Sequence, residues 1–284
     1  MSAGYVHLDT LTMPFAGVDS NPGARQQVLW RDAQTGATVA MNYGPAGFSP
    51  AHAKLLDEHG THRHYHATVN ERHYAMGGDY PIWHWAAPES EPTLTLMRRH
   101  MYVENPPRTL HGSQPHRRPQ IATQMLVWNT GGGTSIFAAD AKHETHEFPP
   151  GTRAPDNGPW ARPRIVAVDL QSWRQHPTLL GAKIRAVAPT DGDQPAVMVV
   201  SVPPESIAPA SLKPVPGASR RWLFLLSGDL RLRLTTPAAV EDIVAHEGHF
   251  VHWADAALTP GPGMVSEGGA VVLCVGHDLA RSIE

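Results

Sequence analysis

Short apolar runs separated by turns set the pattern of this chain. Residues 26–32 and 38–43 read as two strands joined by an interval that ends in Gly36. The alternation continues through 64–85, 93–97, 100–103, 120–128 and 135–139. It starts again at 165–170, 183–188, 196–202, 222–226, 230–234 and 270–275. Residues 5–16 read as an edge strand or an arm over a sheet, and Asp169–Arg174 as one short helix capped by Asp169 or Ser172. Between the two series, Pro149–Pro159 has linker composition. The expectation is an all-β protein with domains at 1–148 and 164–284 and a linker at 149–163.

Composition agrees with that reading. The 27 prolines and 25 glycines are spread along the chain, as in sandwiches and barrels, and 284 residues suffice for two cores. A net charge of −3 gives no basic field for nucleic acid or anionic lipid, which leaves small molecules as the expected partners. The N-terminus lacks a basic segment followed by an apolar core, and no window nears about 18 apolar residues, so a soluble, cytoplasmic protein is expected. The single cysteine, Cys274, lies in the apolar run 270–275 and reads as a core thiol.

The chemistry concentrates in Gly60–Gly78 and Pro106–Gly112. On a strand, residues two apart face the same way, so His62, His64 and His66 form one row of imidazoles. A carboxylate, Glu71, follows a short turn, and His111 returns on a distant strand. Imidazole with carboxylate and no nearby thiol suits a divalent first-row metal better than a closed structural zinc site. His73 shares the Glu71 face and is a pocket-wall or hydrogen-bonding candidate. Trp83, Trp85, Met97, Met101, Tyr102 and Met125 are wall candidates. The Asn129–Gly133 run is a turn and not a phosphate loop, and Lys142–Glu147 is a solvated segment.

These motifs resemble the cupin superfamily. His64-x-His66, four residues, Glu71, six residues and Gly78 is similar to the first cupin signature, and Pro107–His111 to the second. The leading glycine of the pattern falls on Glu58, and its late asparagine on Pro115. The resemblance implies two double-stranded β-helix (jelly-roll) barrels in tandem, with His64, His66, Glu71 and His111 as metal ligands. The competing assignment takes His62 and His64 as the pair and leaves His66 outside. The second half resembles a cupin without its metal site. Ser227–Asp229 stands where Gly77–Asp79 stands in the first half, but Gly217–Arg220 replaces His-x-His and no histidine follows Pro260–Gly263. A role in packing, dimerisation or pocket closure is expected for it, and a homodimer fits this reading.

Three imidazoles and one carboxylate leave a divalent ion with net charge +1 and open positions for a bidentate oxygen ligand. The leading expectation is a dioxygenase using iron(II) and dioxygen to cleave a carbon–carbon bond of a small enolisable or aromatic compound. A redox-neutral lyase or isomerase with zinc, nickel or manganese is the second, with His73 or Tyr74 moving a proton. A non-catalytic small-molecule sensor is the third.

Overall fold

The computed structural model describes residues 5–18, 23–48, 62–113, 118–131, 135–137, 159–176, 180–189, 196–207, 221–235, 239–253, 257–260 and 264–276. The Lys142–Glu147 segment, the linker up to 158, Gly217–Arg220 and most of the Pro260–Gly263 turn lie outside the described residues. Nearly all regular structure is strand, as the apolar alternation predicts. Among the described residues no helix is long and apolar enough to cross a membrane.

The chain divides into two compact units, Pro14–Asp169 and Met1–Met13 with Leu170–Glu284. These bounds differ from 1–148 and 164–284 at both ends. Tyr5–Asp9 pairs antiparallel with His249–Trp253, and Arg164–Ala167 pairs with Met101–Asn105. Each end segment completes a ladder with residues far from it in the chain, which sequence neighbourhood does not reveal. The short helix expected at 169–174 is instead a 3-10 turn, Val168–Leu170, followed by the strand Arg174–Gln175.

Pro14–Asp169 holds a five-stranded and a seven-stranded antiparallel sheet. The five-stranded sheet runs Ser135–Phe137, His62–His66, Leu110–Ser113, Asp79–Trp85, Thr93–Arg98. At the centre of the other, Glu71–Gly77 lies between Met101–Asn105 and Thr123–Asn129. Among the described residues these ladders form two sheets that face each other. Ala75, Val103 and Met125 from one sheet pack on Ile82 and Met97 from the other. At about 25 cal/mol per Å² of apolar surface, such burial is the main force pressing the sheets together.

The other unit repeats this construction in its registers. Glu71 pairs with Asn105 and His73 with Val103; Arg221 pairs with Trp253 and Leu223 with Val251. The amide of His100 donates to Ala75 O at 2.8 Å, and that of Gly248 to Leu225 O at 2.9 Å. Asp79 accepts the Gln120 and Ile121 amides, and Asp229 those of Glu267 and Gly268. The positions matching Glu71, His73 and Asn105 are therefore Arg221, Leu223 and Trp253, none of which pairs a carboxylate with an imidazole. Its core gathers Leu223, Leu225, Val251, Trp253, Val272 and Cys274. Burial pushes the Cys274 thiol up to about 12, so it is no nucleophile. Trp222–Leu226 and Leu230–Leu234, read as two strands, are one long strand, Arg221–Thr235, with a bulge between Leu225 and Ser227.

Candidate metal centre

Backbone register brings the histidines together. In the five-stranded sheet His111 is the ladder partner of both His64 and His84, and Ser113 of His62. Ladder partners share a face, so the row on His62–His66 and the histidine after the proline turn meet. His64, His66 and His111 each offer a ring nitrogen within 4.8 Å of the others. The His64 and His111 centroids are 4.3 Å apart. The side chain of His62 lies outside the described residues.

The turn before His111 is tied to the opposite strand. The Arg108 amide donates to His66 O at 2.7 Å, and Arg108 adopts a φ of 69°, a left-handed conformation that L residues rarely hold. Its guanidinium lies over Trp160, 4.9 Å from the ring centroid, and near Tyr65. This stack lies along the back of the strand that carries His64 and His66, and it stabilises the strained turn.

Glu71 joins from the facing sheet. Its Oε2 is 3.0 Å from His111 Nε2 and 2.9 Å from His73 Nε2, and its Oε1 is 3.8 Å from His66 Nε2. Burial raises the Glu71 carboxyl, but the His73, His111 and His66 rings outweigh it and hold it well below the usual carboxylate range. Glu71 is thus a carboxylate in the folded protein.

A cation fits this donor set. His111 Nδ1 donates to Thr109 O at 2.9 Å, so Nε2 is the nitrogen turned to the centre. It stands 3.0 Å from Glu71 Oε2. A carboxylate and an imidazole nitrogen at that separation hold a positive charge between them, a proton or a metal ion. Ligand atoms about 2.1 Å from one ion stand roughly 3.0 Å apart when cis in an octahedron. Both nitrogens of His66, which is 8% exposed, also lack hydrogen-bond partners. Buried ring nitrogens without hydrogen-bond partners suit a bound cation.

Two groups extend the centre that the sequence did not single out. Asn105 Nδ2 donates to Glu71 Oε2 at 3.3 Å, and Asn105 Oδ1 lies 3.1 Å from His84 Nε2. Burial, the largest cause, and the nearby His111 lower His84 to about 4. Tyr80, two residues before Ile82 on the same strand face, lies 3.3 Å from Ser113 Oγ. The available signal was parity: Tyr80, Ile82 and His84 alternate on one strand, but only the pairing of His84 with His111 shows which face they share.

Tyr74, expected as a proton carrier, does not reach the centre. It sits between His73 and Ala75 on the same strand, so it faces the other way, and its hydroxyl lies 3.0 Å from His100 Nδ1. Among the wall candidates Met97 and Met125 do face the interior beside Ala75. Trp83 and Trp85 flank His84 and so take the opposite face, and Tyr102 pairs with Tyr74. The floor is accordingly aliphatic and thioether, with Tyr80 packed against it.

No protein-family model matches the chain, and no curated protein matches it in sequence. Its structure is similar to that of the oxalate decarboxylase of Bacillus subtilis, studied for its Mn(II) centres. That likeness has a TM-score of 0.61 at 12% identity, over 96% of this chain and 77% of that one. It is also similar to HEPD of Streptomyces albus with 2-hydroxyethylphosphonate and Fe(II) bound, at a TM-score of 0.60 and 10% identity, over 99% of this chain and 78% of that one. At such identities the likeness is one of fold, and it agrees with the all-β class expected from the sequence.

Proposed function

We propose that this chain is a metal-dependent enzyme of the cupin type, with one divalent ion held by His64, His66, His111 and Glu71. The observation that carries the proposal is the convergence of the His64, His66 and His111 ring nitrogens within 4.8 Å of one another, with Glu71 Oε2 3.0 Å from His111 Nε2. The donor set suits iron(II) or manganese(II), ions named with the two similar structures. When bound, such an ion would polarise substrate oxygens as a Lewis acid and, as iron(II), would also take dioxygen. The chain's own residues do the rest. Ile82, Met97, Val103 and Met125 exclude water from one side of the centre, and Asn105 fixes the carboxylate. His73 Nε2, 2.9 Å from Glu71, is placed to hold or return a proton beside the bound guest.

The reaction we infer is oxidative cleavage of a carbon–carbon bond in a small enolisable or aromatic compound. Oxygen-electrode assays of the iron-loaded chain on 1,3-diketones, catechols and 2-oxo acids test it. Uptake of dioxygen in step with cleavage is expected; equal turnover under argon overturns it. A redox-neutral lyase is the second reading, favoured by the likeness to a decarboxylase with Mn(II) centres and by a histidine beside the carboxylate. Turnover without dioxygen by the manganese-loaded chain supports it.

A further inference from the structure

His84 has a hydrogen-bonding capacity that no described residue uses. It is 5% exposed, stands across the ladder from His111, and their ring centroids are 6.3 Å apart. Its tautomer follows from its neighbours. Asn105 Nδ2 donates to Glu71 Oε2 at 3.3 Å. The amide oxygen then faces His84 Nε2 at 3.1 Å, and Nε2 must carry the hydrogen. Nδ1 of the neutral ring is left as a lone pair, buried and without a hydrogen-bond partner among the described residues. A buried acceptor left bare is unfavourable by about 1–3 kcal/mol, so such a group is normally matched by a donor.

We propose that His84 Nδ1 accepts a hydrogen bond from a hydroxyl of the guest held at the metal centre. The substrate class is then a small compound with an O–H beside a second metal-binding oxygen, as in a 2-hydroxy acid, an enol or a catechol. The inference rests on the metal reading above. Asn105 thus links the Glu71 carboxylate to the His84 ring through two hydrogen bonds. A guest whose hydroxyl is capped by a methyl group brings the same oxygens but no donor.

Calorimetric titration of the Mn(II)-loaded full chain with glycolate and with methoxyacetate tests this. Wild type is expected to bind glycolate about tenfold more tightly, the worth of one good buried hydrogen bond. At Mn(II) high enough to load the site, that ratio falls severalfold in His84→Phe, and His84→Gln, which keeps an acceptor oxygen, recovers part of it. Equal wild-type affinities, or a preference undiminished in His84→Phe, overturn the proposal. Because an ether oxygen is also a weaker metal donor than a hydroxyl, the change in ratio between wild type and variant decides the matter, and His84→Leu serves where His84→Phe does not fold. Failure of the wild-type chain to hold Mn(II) removes both the metal reading and this one; Mn(II) held without a glycolate preference removes this one alone.

Discussion

Glu71 and Asn105 are ladder partners on adjacent strands, and the Asn105 amide also donates to the Glu71 carboxylate at 3.3 Å. One pairing therefore sets both the place of the carboxylate and its orientation. Asn105→Ala leaves the ladder intact but frees the carboxylate to rotate. Metal affinity is expected to fall about 10- to 100-fold, the usual effect of losing a group that orients a ligand. Competition with a fluorescent chelator measures it.

Stability should fall in acid by a definite route. His84 and His176, whose ring burial also lowers, each titrate at about 4 when folded and near 6.5 when unfolded. The folded state binds fewer protons across that window, so this contribution is complete above about 6.5 and is lost as pH falls towards 4. Below about 4.5, protonation of Glu71 in the unfolded chain adds a further loss, because its folded value lies well lower. Urea midpoints measured from pH 7.5 to 3.5 are expected to fall throughout. The His84→Gln variant should show a shallower fall between 6.5 and 4.

Behind the site-bearing face, Arg72 is 1% exposed, and its Nη2 lies 2.8 Å from Glu104 Oε1, which Asn70 Nδ2 also approaches at 2.8 Å. Removing the carboxylate from a buried pair strands the cation. Glu104→Ala is expected to cost about 3–5 kcal/mol, whereas replacing both partners with apolar residues should cost much less. Chemical denaturation of the single and double variants checks this.

Much of the fold, and the meeting of His64, His66 and His111, were legible in the sequence, for identifiable reasons. His64, His66 and Glu71 are close in the chain, and strand parity with a short turn is enough to align them. His111 was reached through its proline turn. Tyr74 was misplaced although the same parity puts it opposite His73 and Ala75. His84 and Asn105 stayed hidden because their roles depend on which distant strands pair, and a one-residue slip would turn either away. The Tyr5–Asp9 strand was hidden for a like reason: its partner lies at His249–Trp253, at the other end of the chain.

Gly228 marks the place where the long strand of the second unit bends. Its φ is +78°, and a Cβ there would overlap Gly269 O. Gly228→Ala is expected to destabilise that unit by more than the roughly 1–2 kcal/mol of a left-handed L residue, because backbone must also move. Thermal unfolding should show a lowered transition, with metal binding on Pro14–Asp169 unchanged below it.

The most direct test is a count of ions. Equilibrium dialysis of the full chain against Mn(II) should give one tightly held ion per chain. His111→Ala, which removes the ring nitrogen facing Glu71, should lose nearly all of it while its far-ultraviolet circular dichroism stays as in wild type. Retention of a full equivalent by the folded His111→Ala protein would contradict the account.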